Sequence, residues 1–97
     1  MKDDNNTQAD ILKLIQKPMT SENLPEKLRF LSDWMVANKG MLEPKFLILI
    51  RRYLDFTLNV IHTEYSAAPN LRELVVSYTT SSVLCDMELD DLLDIAV

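Results

Sequence analysis

One glycine, one cysteine and one histidine occur among 97 residues, and each scarcity removes a class of structure. Tight β-hairpins rely on glycine or Asn-Gly turns. With Gly40 the only glycine and no Asn-Gly pair, an all-β fold is not expected. A lone cysteine, Cys85, allows neither an intrachain disulfide nor a multi-cysteine zinc site. Its expected place is a core, as a small hydrophobe. A lone histidine, His62, leaves no paired metal ligands at a recognised spacing, and there is no phosphate-cradling glycine loop or nucleophile elbow. No cofactor and no metal are expected. The stretch FLILI ends at Arg51 and Arg52, far short of the roughly 18 apolar residues of a membrane span. The opening MKDDNNTQAD is too polar and acidic for a secretory signal, so a cytoplasmic protein is expected.

What is present is apolar enough to fold: 47% of residues are hydrophobic and 26% charged, within the ordinary globular range. A chain of this length forms one domain, here residues 1–97, with a core that has little to spare. Charge is unevenly placed. Residues 1–65 carry nine basic and nine acidic side chains, whereas residues 66–97 carry Arg72 against six carboxylates, which accounts for the net charge of −5. Without a basic patch, binding to nucleic acid or to an anionic membrane is disfavoured. A protein partner of basic character is the reading that the charge favours.

The apolar spacing predicts an all-α bundle of four to five helices. After a polar extension at residues 1–6, Ile11, Leu14 and Ile15 form one side of a short helix from Thr7 to Lys17, stopped by Pro18. Pro25 and Glu26 suit the first turn of a second helix. It presents Leu28, Leu31, Trp34 and Met35 on one side, Lys27, Arg29 and Asp33 on the other, and ends at Asn38, Lys39 and Gly40. A third helix, residues 43–65, is apolar over more than half its circumference. Its polar residues are confined to a stripe through Arg52, Asp55, Asn59 and His62, which predicts a central, mostly buried position. Asn70 and Glu73 have the spacing of a capping box for a fourth helix. This helix is expected to reach about Thr79 or Ser82, where β-branched and hydroxyl residues lower helix propensity; a short break at TTSS, residues 79–82, would leave Ser81 or Ser82 to cap an acidic helix over residues 86–97. In that last segment Leu89, Leu92 and Leu93 share one face and Asp90, Asp91 and Asp94 the other. About ten isolated residues make a marginal helix, so this one must dock on its own core or on a partner.

No catalytic residues are expected. The best constellation for chemistry is Asp55, Asn59 and His62, aligned at spacings of four and three. Arg51 at i−4 from Asp55 makes an ion pair on a solvated stripe the simpler reading, and an enzyme using the stripe is the minor alternative. Candidate partner-binding residues are Trp34, of the type enriched at binding hot spots, the cations Arg51 and Arg52, and Leu89, Asp90, Asp91, Leu92 and Asp94 of the acidic helix. Met19, Met35, Met41 and Met87 could line an adaptable groove. The apolar excess of residues 43–65 also leads to the expectation of a homodimer.

The stretch LEPKFLILIRRYLDFT is faintly similar to the long central helix of small helical bacteriocin immunity proteins. The likeness covers 16 of 97 residues and carries no diagnostic motif. Those proteins are commonly basic and this chain is acidic. The resemblance implies toxin neutralisation, an antitoxin-type role against a basic toxin, as an alternative function. The expectation drawn from the residues themselves is a small cytoplasmic regulator, adaptor or chaperone that binds a protein through an apolar groove and the acidic helix.

Overall fold

The structure, a computed structural model, describes residue 11, residues 13–14 and residues 16–96, with side chains as far as residue 92. The expected extension at residues 1–6 lies outside the described residues. So do residues 7–10, 12 and 15 of the expected first helix, although Ile11, Lys13, Leu14 and Gln16 are helical. Three helices follow: α1 (Leu24–Ala37), α2 (Pro44–Glu64) and α3 (Leu71–Ala96). Among the described residues the all-α class holds, with three bounded helices rather than four to five and no strand.

The difference lies in α3, which runs without a break through the hydroxyl-rich stretch. Thr79 and Thr80 donate their hydroxyls to the carbonyls of Val75 (2.8 Å) and Val76 (3.0 Å), one turn back. The helix thus satisfies the groups that otherwise compete with it. Ser81 is fully buried and donates to the Leu28 carbonyl at 2.9 Å. It is a packing residue rather than a cap.

The central position also differs from expectation. α1 and α2 each pack chiefly against α3, so α3 is the element between them. Small side chains explain this: Ser81 and Cys85 are both fully buried, and they let a neighbouring helix approach closely. α1 runs parallel to α3, with Ser32 opposite Ser81 and Gly40 opposite Glu88. α2 runs antiparallel, with Leu47 beside Cys85 and Arg51 reaching Tyr78, Ser82 and Asp86.

The core is drawn from all three helices and from Ile11. Leu28, Leu31 and Met35 of α1 meet Leu47, Ile50, Leu54 and Ile61 of α2 and Leu74 of α3. Trp34 packs on Phe46 with ring centroids 5.1 Å apart and planes tilted by 60°, a favourable aromatic geometry. The turn between α1 and α2 passes through Gly40 at φ 81°, a conformation costly for any residue with a Cβ. There the Gly40 amide donates to the Glu88 carboxylate at 3.0 Å. Leu89 and Leu92 pack against the core, which answers how the acidic segment docks: on its own domain.

Candidate functional site

Along α2 the spacing of Leu49, Tyr53, Phe56, Val60 and Glu64 keeps one continuous face turned away from α3. Facing it is the segment Gln16–Met19, and between them lies a groove of about 520 Å³. Leu49, Phe56, Val60, Met19 and Pro18 supply its apolar lining, with Lys17, Arg52 and Glu64 among the polar residues. Phe56 is 58% exposed, more than either of the other two phenylalanines, of which Phe30 on α1 is 45% exposed. Tyr53 also lines the groove, and its hydroxyl is buried with no hydrogen-bond partner among the described residues. Burial pushes that phenol above its ordinary value, an effect the neighbouring Thr57 opposes.

The far wall of the groove is irregular chain, so its position depends on what ties it down. Lys27 does most of this. It is 6% exposed, and its ammonium donates to the carbonyls of Lys17 (2.7 Å) and Pro18 (3.1 Å). Burial, with Lys17 nearby, holds that ammonium below the usual lysine range. The placement of Lys27 on an outer polar face is therefore overturned: it closes off loop carbonyls that have no helical partner. Tyr65 donates to the Met19 carbonyl at 3.1 Å. Asn70 donates to the Ser21 carbonyl at 2.6 Å, and no hydrogen bond joins it to Glu73 among the described residues, so the expected capping box does not form. A reciprocal pair forms instead ahead of α1, where Thr20 and Asn23 each accept from the other's amide at 2.9 and 3.0 Å.

Of the residues singled out from the sequence, only Arg52 and Met19 line this groove. Trp34 is buried, and its indole nitrogen has no hydrogen-bond partner among the described residues. Arg51 points the other way, toward α3. It meets Asp55 at 3.1 Å, Asp86 at 2.9 Å, Ser82 at 3.0 Å and Tyr78 at 3.3 Å. Burial opposes its charge, and Asp55 and Asp86 more than compensate, so its guanidinium is held above the ordinary value. Asp90 and Asp91 are exposed on α3 and do not line the groove, nor do Leu89 and Leu92. The side chain of Asp94 lies outside the described residues. Asn59 and His62 are exposed, and Asp55 is engaged by Arg51. No cluster of three or more potential metal ligands occurs among the described residues. No helix among them is long and apolar enough to cross a membrane.

The groove itself was hidden in the sequence by the apolar excess of α2, which reads equally well as core. The one available signal was Phe56, which falls beside the polar stripe at Arg52 and Asn59 rather than opposite it. No family model, curated protein or solved structure matches this chain.

Proposed function

We propose that this chain is a small cytoplasmic protein-interaction module, a regulator, adaptor or chaperone, that takes an apolar segment of a protein partner into the groove beside α2. One observation carries the reading. Phe56 stands largely in solvent on a preformed apolar surface, while the chain buries Leu47, Ile50 and Leu54 of the same helix completely. Aromatic side chains in such settings are the usual anchors of interfaces. A partner helix laid in the groove would bury Phe56 and Leu49, and Lys17, Arg52 and Glu64 would set its orientation. The exposed carboxylates of Asp90 and Asp91, on another part of the surface, favour a basic partner by long-range attraction.

The test is recovery of a stoichiometric partner by the full chain from a native extract, repeated with Phe56→Glu. The variant is expected to keep its helical content and melting midpoint and to lose that partner. A partner retained by Phe56→Glu at undiminished affinity would remove the groove from the reading.

A further inference from the structure

From Leu74 to Cys85 the chain has no charged residue, and the outward face of α3 inherits this. Val76 is 59% exposed, Val83 51% and Met87 46%, with Thr79 also exposed among them. At 100° per residue these four, together with Arg72 and Asp90, fall within an arc of about 80° opposite Leu74. The hydroxyls of Thr79 and Thr80 are already bonded to carbonyls of their own helix. Covering this face would therefore strand no threonine donor.

The stripe is also symmetric along its length. Arg72 and Asp90 stand nine positions either side of Ser81, Thr79 and Val83 two positions either side, and Val76 and Met87 five and six. We infer that this face binds a second copy of the chain, with the two α3 helices antiparallel about a two-fold axis that crosses the stripe between Thr79 and Val83, level with Ser81 along the helix. In that register Val76 of one copy meets Met87 of the other, and Thr79 meets Val83. Each Arg72 comes level with Asp90 of the second copy, so the end pair is made twice. A parallel arrangement would set Arg72 against Arg72 and Asp90 against Asp90, and charge selects the antiparallel one. Glu73 and Asp91 project about 80° to one flank of the stripe, and Asp86 is held by Arg51. An unrelated partner would have no need of this mirror order. The face is distinct from the groove on α2, so the two readings stand or fall separately.

One helix face offers less than the roughly 800 Å² per partner of a typical stable interface. The dimer is accordingly expected at tens to hundreds of micromolar. Sedimentation equilibrium of the full chain from 10 µM to 1 mM reads it directly. Val83→Glu places two carboxylates near the axis and is expected to abolish association with little change in melting. Arg72→Glu and Asp90→Arg should each weaken the dimer about tenfold by turning two attractions into two repulsions, and the double variant should restore wild-type affinity. A chain still monomeric at 1 mM, or a dimer indifferent to Val83→Glu and to the charge swaps, overturns the inference.

Discussion

The Ser32 and Ser81 hydroxyls lie 2.6 Å apart in the buried seam between α1 and α3. Ser81 gives its proton to the Leu28 carbonyl, so Ser32 must donate to Ser81, and the pair is a directed chain of two hydrogen bonds. Ser81→Ala leaves the Ser32 hydroxyl without its acceptor and is expected to cost about 1–3 kcal/mol. Ser32→Ala keeps the bond from Ser81 to Leu28 and should cost less. Urea unfolding of both single variants and the double should show a total smaller than the two losses added together. Strict additivity would mean that the hydroxyls do not act as a chain.

Packing should separate the two faces of α2. Leu54 is fully buried, opposite the polar stripe, and Leu54→Ala is expected to cost about 2–5 kcal/mol. Asp55 is exposed, and Asp55→Ala should leave the midpoint within about 2 °C of wild type. Calorimetry of the two variants decides whether the helix is rotated as described.

The same contrast applies to the acidic end of α3. Leu89 and Leu92 pack on the core, so Leu89→Ala with Leu92→Ala should lower the midpoint by roughly 10 °C or more. Exchange of Asp90 and Asp91 for Asn, which touches only exposed carboxylates, should change it little. A leucine variant that melts with wild type would make this segment an arm rather than part of the core.

Alkaline pH should weaken the fold through Cys85. Burial pushes its thiol from the usual 9.0 to about 11, with Arg51 pulling the other way. Below pH 9 the thiol is protonated in both folded and unfolded chains, and its stabilising contribution is complete. As pH rises toward 11 the unfolded chain loses the proton first, and stability of order 2 kcal/mol is lost. Tyr53 adds a loss of the same sign above pH 10. Lys27, lowered from 10.5, acts in the opposite sense. Comparing Cys85→Ala with wild type isolates the thiol: the variant should lose less stability between pH 9 and 11. The native thiol should also resist aromatic disulfide reagents at pH 8.

Lys27 offers a test of the loop. Lys27→Met removes the ammonium from the carbonyls of Lys17 and Pro18 and is expected to speed amide exchange at Lys17, Met19 and Thr20, with a loss of about 1–3 kcal/mol. Unchanged exchange in that segment would place its anchor at Tyr65 and Asn70 alone.

The helices themselves were legible because proline and glycine punctuate the chain. Pro25, Gly40 and Pro44 fix the ends of α1 and the start of α2 to within a residue or two of where they lie. The length of α3 was not, since helix propensity counts Thr79, Thr80, Ser81 and Ser82 against a helix. It takes no account of hydroxyls bonding back to the preceding turn or across to another helix. The centre of the bundle was misread for a related reason. Hydrophobicity favoured α2, but part of that hydrophobic surface lines a groove, while α3 holds the middle through small residues. Lys27 and Glu88 could not be found from local pattern at all. Each is buried against backbone groups of a loop, ten and 48 positions distant, and sequence spacing on a helix says nothing about such partners. For the groove, Phe56 beside a polar stripe was visible, whereas the wall opposite it depends on the distant bonds of Lys27 and Tyr65.

Because α1 and α2 meet α3 far more than they meet each other, a ribosome delivers two helices before the element that joins them. Until α3 emerges, Leu28, Leu31, Ile50 and Leu54 have no common surface to close upon, and the Gly40 turn lacks Glu88. The nascent chain is therefore expected to stay protease-sensitive and open to holdase chaperones through the synthesis of α2. Docking of the three helices then follows as a single event once α3 has emerged.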